Sequence, residues 1–191
     1  MCTRKCSLFV AGCMYVLVLL SVTCNTMLFF PGWSVKYAKE SHITEQVYYM
    51  GGFIGGGVLA LIPALYIHLT GDGGCCSNRL GMFFSIAFAA VGMAGAVYSF
   101  AVAILGLSNG PLCKDGTGAW VTMFKSSNAN YMTQKSKWAD CAEPKNVVQF
   151  NIGLFITLIL ASFLQALLCV GQIINGIVGC ICGAGKDQMI A

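Results

Sequence analysis

Charge is what this sequence has least of: only 9% of its 191 residues are Asp, Glu, Lys or Arg. A soluble domain of this length carries about a quarter, and so sparse a set cannot coat a water-facing surface. Histidine is nearly absent as well, with only His42 and His68. No serine, cysteine or carboxylate cluster offers a nucleophile–base pair with an orienting third group, so the chain reads as a non-enzyme. There is no G-x-x-x-x-G-K, which argues against a nucleotide loop, and nothing points to nucleic acid. Cys75–Cys76 and Cys180-x-Cys182 lack the C-x₂₋₄-C spacing of structural zinc and have no histidine nearby, so no metal is expected. No N-x-[ST] acceptor occurs either; Asn128, Asn130 and Asn151 all lack the hydroxyl residue two places on.

What the chain does have is apolar length. Its 11 basic and 7 acidic residues all fall outside four neutral runs: Lys5 to Lys36, Glu45 to Asp72, Arg79 to Lys114, and Lys145 to Lys186. A membrane-crossing helix needs roughly 20 apolar residues, and each run supplies them. The expected architecture is a single all-α domain over 1–191, a four-transmembrane-helix bundle with spans near 7–30, 47–69, 80–107 and 148–171. A large outer loop (108–147) and an inner tail (172–191) complete it, the fourth helix continuing toward Cys182. The first run has the basic start of a signal peptide, but it passes the usual core length of about 7–15 residues with no A-x-A-like site and is read as a retained span.

The stretch "MGGFIGGG" invites comparison with a phosphate loop, yet no strand–loop–helix context surrounds it. Gly51 and Gly55 stand four apart, as do Gly52 and Gly56, which places them on adjacent strips of one helix face. Between helices in lipid, apolar burial contributes little, so bare backbone strips that permit close van der Waals contact become the packing device. Gly95, Ser99 and Ala103, with Gly92 and Ala96 alongside, predict a similar face on the third span. Gly171, Asn175, Gly179 and Gly183 suggest one at the end of the fourth. Pro63 is expected to bend the second span, with a neighbouring helix covering the carbonyl it leaves unbonded.

Two arguments on orientation disagree. With both ends in the cytoplasm, most lysines fall outside, against the positive-inside count; Arg4 and Lys5 directly before the first span favour that orientation nonetheless. Cysteine placement supports it too. Cys113 and Cys141 then lie alone in an oxidising space and read as a disulfide. Cys2, Cys6, Cys75, Cys76, Cys180 and Cys182 fall at the inner membrane edge, where thiols are palmitoylated or remain free. In the large loop, Trp120, Phe124, Tyr131 and Trp138 form either a small core or an exposed recognition surface. Asn25, Gln165, Gln172 and Asn175 sit in or near spans. They serve as inter-helix bonds or as anchors for a bound sterol or phospholipid. None of the spans carries an acid or base, which weakens a transport reading.

Taken in order, "MCTRKC", "LFFPG", "MGGFIGGG", "AILGLSNGPLC", "CAEPKNVVQFNIGLF" and "QIINGIVGCICG" resemble the transmembrane-four L-six family, which is tetraspanin-like in architecture. The likeness covers nearly the whole chain. It implies a plasma-membrane organiser, with endosomal or lysosomal membranes as a second location. Its implied partners are membrane lipids and other membrane proteins (integrins, tetraspanins, growth-factor receptors), with a homo-oligomer also allowed, and its implied roles are adhesion, migration and proliferation. The chain departs from the family pattern in its inner loop, which keeps only Cys75 and Cys76. The large loop lacks both an acceptor asparagine and the tetraspanin C-C-G motif. The rival readings are a junction or barrier protein, which its short, cysteine-free first loop disfavours, and a lipid or small-solute binding or transport protein.

Overall fold

A computed structural model describes residues 3–34, 36–39, 42–71, 79–114, 116, 118–122, 138, 141, 143–144 and 146–187. Helix α1 spans Thr3–Leu28, and a 3₁₀ turn at Pro31–Trp33 leads into the short helices α2 (Lys36–Lys39) and α3 (Glu45–Tyr48). A π-helical segment, Gly51–Leu59, runs directly into α4 (Ala60–Gly71). Helix α5 covers Arg79–Asn109 and α6 covers Val147–Asp187. Between them β1 (Cys113–Lys114) and β2 (Trp120–Val121) pair antiparallel, Cys113 opposite Val121. Four helical stretches are long and apolar enough to cross a membrane: Ser7–Leu28, Glu45–Leu69, Phe83–Asn109 and Val147–Val178.

Among the buried positions, one seam on each helix repeats with spacings of four and three. On α1 it runs through Ser7, Ala11, Met14, Val18, Ser21, Asn25 and Leu28. On α5 it runs through Ser85, Ala89, Gly92, Ala96, Ser99, Ala103 and Gly106, all small, with Gly95 and Val102 buried beside it; on α6 it runs through Asn151, Phe155, Leu158, Ser162, Gln165, Cys169, Gln172 and Gly176. A repeat of 3.5 residues keeps one seam facing its neighbour as helices wind gently around each other. The small seam of α5 lets large side chains of α6 close in: a Cβ on Gly106 would collide with the Phe155 ring.

Large apolar residues point the other way. Phe9 is 70% exposed and Leu19 69% exposed, and Leu160, Phe163 and Ile174 are also exposed. In water this would be an aggregation surface; in a bilayer it is the lipid-facing wall. Inside, one apolar cluster gathers Ala11, Met14, Ala64, Ile67 and Cys169. A second, nearer the disulfide, gathers Cys24, Leu28, Val47, Phe155 and Leu158. Ser21, Gly56, Ser99, Ser162 and Gln165 lie between the two in every span and form a polar belt across the middle of the bundle.

The second span differs from a simple proline bend. Helix α4 continues through Pro63, and the irregularity lies ahead of it, in the π-helical turns that end at Leu59. In an unbroken α-helix the proline ring would strike the carbonyl four residues back, which is that of Leu59. Five glycines in that segment make the wide turns accessible because they give little support to regular α-helix. Met50, just before it, holds a left-handed φ of 47°.

Candidate functional site: a polar belt and a disulfide-tied cap

The glycines of the second span touch all three neighbouring spans. A Cβ built on Gly51 would stand 2.7 Å from Val102 Cβ on α5, and one on Gly55 would collide with the Gly95 carbonyl oxygen. From Gly95 the approach is reciprocal: its Cβ would lie 2.7 Å from the Gly55 oxygen and 2.6 Å from Leu59 Cβ. Gly52 faces α1 and α6 together, with Leu158 Cδ2 at 2.6 Å and the Ser21 carbonyl oxygen at 3.0 Å. A Cβ on Gly56 would lie 3.0 Å from Ser21 Oγ and 3.2 Å from Ser99 Oγ, and one on Gly92 would lie 2.5 Å from the Pro63 ring. These close approaches answer the phosphate-loop comparison: the glycine-rich segment is a surface on which three helices rest. At the end of the fourth span the structure differs from the expected row. Gly171 is exposed with nothing within 4 Å of its Cβ position, and the buried seam there runs through Cys169, Gln172 and Gly176.

The intramembrane amides use this bare backbone. Gly52 N–H donates to Asn25 Oδ1 at 2.9 Å, satisfying a donor at the start of a helical segment, where orphan N–H groups arise. Gln165 Nε2 donates to the Gly56 carbonyl at 2.8 Å. Asn25 and Gln165 therefore do not bond to each other; they grip the same glycine segment from opposite sides, one turn apart. Ser162 donates to Ser99 Oγ at 2.8 Å, and Gln172 Nε2 to Ser85 Oγ at 3.0 Å. Asn175 Nδ2 reaches Ser7 Oγ at 3.4 Å. Two buried atoms in the belt, Ser21 Oγ and Gln165 Oε1, have no hydrogen-bond partner among the described residues. The belt is neutral throughout. Among the described residues, no group of three or more His, Cys, Asp or Glu stands close enough to hold a metal ion.

Sequence reasoning named the amides but missed the hydroxyl partners Ser7 and Ser85 of Asn175 and Gln172, and it also missed Ser162, which bonds Ser99, and Ser21. The signal was present: on α6 one buried seam keeps a four–three alternation through Ser162 and Gln165, which a search for small-residue rows alone does not see.

At the other end of the bundle, Cys113 and Cys141 form a disulfide with their Cα atoms 5.5 Å apart. It packs with Val147 and Val148, and Trp138 leans on that cluster. Lys114 N–H donates to the Glu143 carbonyl at 2.9 Å, and Leu112 N–H to Thr44 Oγ1 at 3.3 Å. Trp120, half-buried, stacks on His42 with ring centroids 4.0 Å apart, and Tyr37 meets it edge-on at 6.0 Å. The loop between the first two spans is thereby joined to the large loop. Phe124 and Tyr131 lie outside the described residues, as do Cys2, Cys75 and Cys76. Cys6 sits on α1 and Cys180 and Cys182 on α6, with side chains outside the described set.

The sequence profile described as L6 membrane protein matches residues 1–186. The chain is 39% identical over 191 residues to Transmembrane 4 L6 family member 1 of Homo sapiens, covering 96% of this chain and 95% of that protein. It is 38% identical over 191 residues to Transmembrane 4 L6 family member 4 of Mus musculus, with 96% and 93% covered. To Transmembrane 4 L6 family member 5 of Bos taurus it is 37% identical over 188 residues, with 96% and 95% covered. No solved structure matches the chain.

Proposed function

The chain belongs to the L6 membrane protein family, and from that premise we propose that it is a non-enzymatic organiser of the plasma membrane. It associates laterally with receptors of the integrin, tetraspanin and growth-factor-receptor kind, and through them influences adhesion, migration and proliferation. The observation that carries this reading is the division of labour in the bundle. The glycines of the second span, and one end each of Asn25 and Gln165, hold the four spans together. What remains for partners is an apolar wall and a disulfide-tied cap in which Trp120, His42 and Tyr37 meet.

In this reading both termini face the cytoplasm and the cap is extracellular, as a disulfide requires of its compartment. Cys2, Cys6, Cys75, Cys76, Cys180 and Cys182 then carry palmitate at the inner membrane edge and favour sorting into ordered patches. Replacing those cysteines by serine should abolish palmitate incorporation; an unchanged signal rejects the assignment. The organiser itself is tested by affinity purification in mild detergent, comparing the native chain with one whose 108–147 loop is scrambled. Receptors should co-purify with the native chain in clear excess over the control. Equal recovery would reject the proposal.

A further inference from the structure

Asn25 keeps one end of its amide uncommitted and beside a cavity. Asn25 lies in the penultimate turn of α1 and is only 4% exposed. Its Oδ1 accepts from Gly52 N–H at 2.9 Å. A backbone N–H can only donate, so this bond fixes which end of the amide is oxygen. The opposite end, Nδ2, has no hydrogen-bond partner among the described residues. Asn25 lines a cavity of about 260 Å³ together with Thr26, Phe29, Phe30, Met50 and Phe53. Two other polar groups of the lining are engaged. Thr26 Oγ1 donates to the Val22 carbonyl at 2.8 Å, and the Met50 carbonyl accepts from Phe53 N–H at 3.0 Å and Ile54 N–H at 2.7 Å.

The chemistry of the occupant follows from that inventory. The cavity straddles the Leu28 end of the Ser7–Leu28 span and faces the first turns of the Glu45–Leu69 span, where hydrocarbon gives way to headgroups. Among the described residues no charged side chain lines it, so recognition here does not run through an ion pair to a headgroup phosphate. Its free side-chain amide nitrogen is a donor, which calls for an acceptor. A second trough of about 350 Å³, lined by Val22, Thr23, Thr26, Met27 and Phe30, adjoins the first and shares Thr26 and Phe30 with it. Two apolar troughs meeting at one ridge, with a single donor beside it, match a molecule that has two chains and an acceptor at their junction.

We propose that this is a glycerophospholipid site: Asn25 Nδ2 donates to an ester carbonyl, one acyl chain lies against Phe29, Phe30 and Phe53, and the other lies in the adjoining trough. A lipid held here is pinned to the glycine segment through the same amide that caps it, so annular lipid and helix packing are coupled at one side chain.

The test is native mass spectrometry of the purified, delipidated full chain after adding back diester phosphatidylcholine, its diether analogue or cholesterol. The diether lipid has the same chains and headgroup but no ester carbonyl. Diester lipid should be retained about fivefold better than diether, the worth of one net hydrogen bond. Asn25→Ala should erase that preference. Thr26→Phe, which fills the shared ridge and leaves the Asn25–Gly52 bond in place, should lower retention of both phospholipids. Equal retention of diester and diether lipid by the native chain means that water occupies the amide and overturns the proposal. Preferential retention of cholesterol overturns it also. The native-chain comparison decides the matter even if Asn25→Ala fails to fold.

Discussion

The close contact between the second and third spans makes a quantitative demand. A Cβ at Gly95 would stand 2.7 Å from the Gly55 carbonyl oxygen and 2.6 Å from Leu59 Cβ, whereas ordinary contact begins at 3.4 Å. Gly95→Ala therefore forces α5 and the π-helical segment apart by about 0.7 Å, or bends one of them. Neither neighbouring atom is the far end of a flexible side chain, so there is no inexpensive adjustment. Overpacking of this kind costs about 1–3 kcal/mol. Against it stands the helix-propensity gain of alanine over glycine, about 1 kcal/mol. Gly171→Ala supplies the control, because the gain is the same and nothing lies within 4 Å of the new atom. The difference between the two variants isolates the contact, and it should be about 1–3 kcal/mol in favour of Gly171→Ala. For a chain of this size that is a separation of roughly 5 °C in unfolding midpoint, read by thermal unfolding in one detergent. Two variants of equal stability would show that the spans can part freely, and the argument for bare backbone as the packing device would fail.

Three further outcomes follow from particular contacts. Ser21→Ala removes a buried hydroxyl that has no partner, so stability should hold or rise, whereas Ser162→Ala breaks a paired bond and should lose about 0.6–1.7 kcal/mol; unfolding that ranks Ser21→Ala as the worse of the two would refute the orphan assignment. Gly92→Ala meets the Pro63 ring at 2.5 Å and should destabilise by about 1–3 kcal/mol alone but by clearly less in a Pro63→Ala background; additive losses in that double-mutant cycle would deny the contact. Replacing Cys113 and Cys141 by serine opens a loop of 28-residue separation, costing the cap about 3–4 kcal/mol on the chain-entropy account; proteolysis within the large loop should rise at least a hundredfold while the span fragments survive, and joint loss of the spans would show that the cap is part of the bundle's own stability.

The four crossings were legible because absence of charge over a long run is a signal that no tertiary context can reverse. The disulfide was legible because only two cysteines fall in the large loop. The glycine strips could be placed on a face from spacing, but spacing could not name their partners: that Gly55 meets Gly95 backbone to backbone depends on how far two separate helices slide past each other. Spacing failed at Gly171 for a related reason. Small residues also face lipid, and a row of them does not say which side of α6 is inside. The alternation on α6 does say it, since large apolar, amide and small residues share one four–three seam. The π-helical turns were not legible. Pro63 announced an irregularity, but its placement upstream, between Gly51 and Leu59, depends on glycines that give several backbone paths nearly equal standing.

The polar belt explains how a core of such small residues keeps one arrangement. Alanine and glycine seams fit each other in many registers, because sliding one bare strip along another changes contact area little. Directional bonds do not share that tolerance. Moving α6 by a single turn shifts it by about 5.4 Å, which would take Gln165 from the Gly56 carbonyl, Ser162 from Ser99 and Gln172 from Ser85 together. Each of those bonds is worth little alone in lipid, but all three fail at once for the same displacement, so the penalty for a slip is their sum plus several desolvated amides. The interior is fixed in this way without any charge. The parts that the belt does not constrain are the lipid-facing wall and the cap.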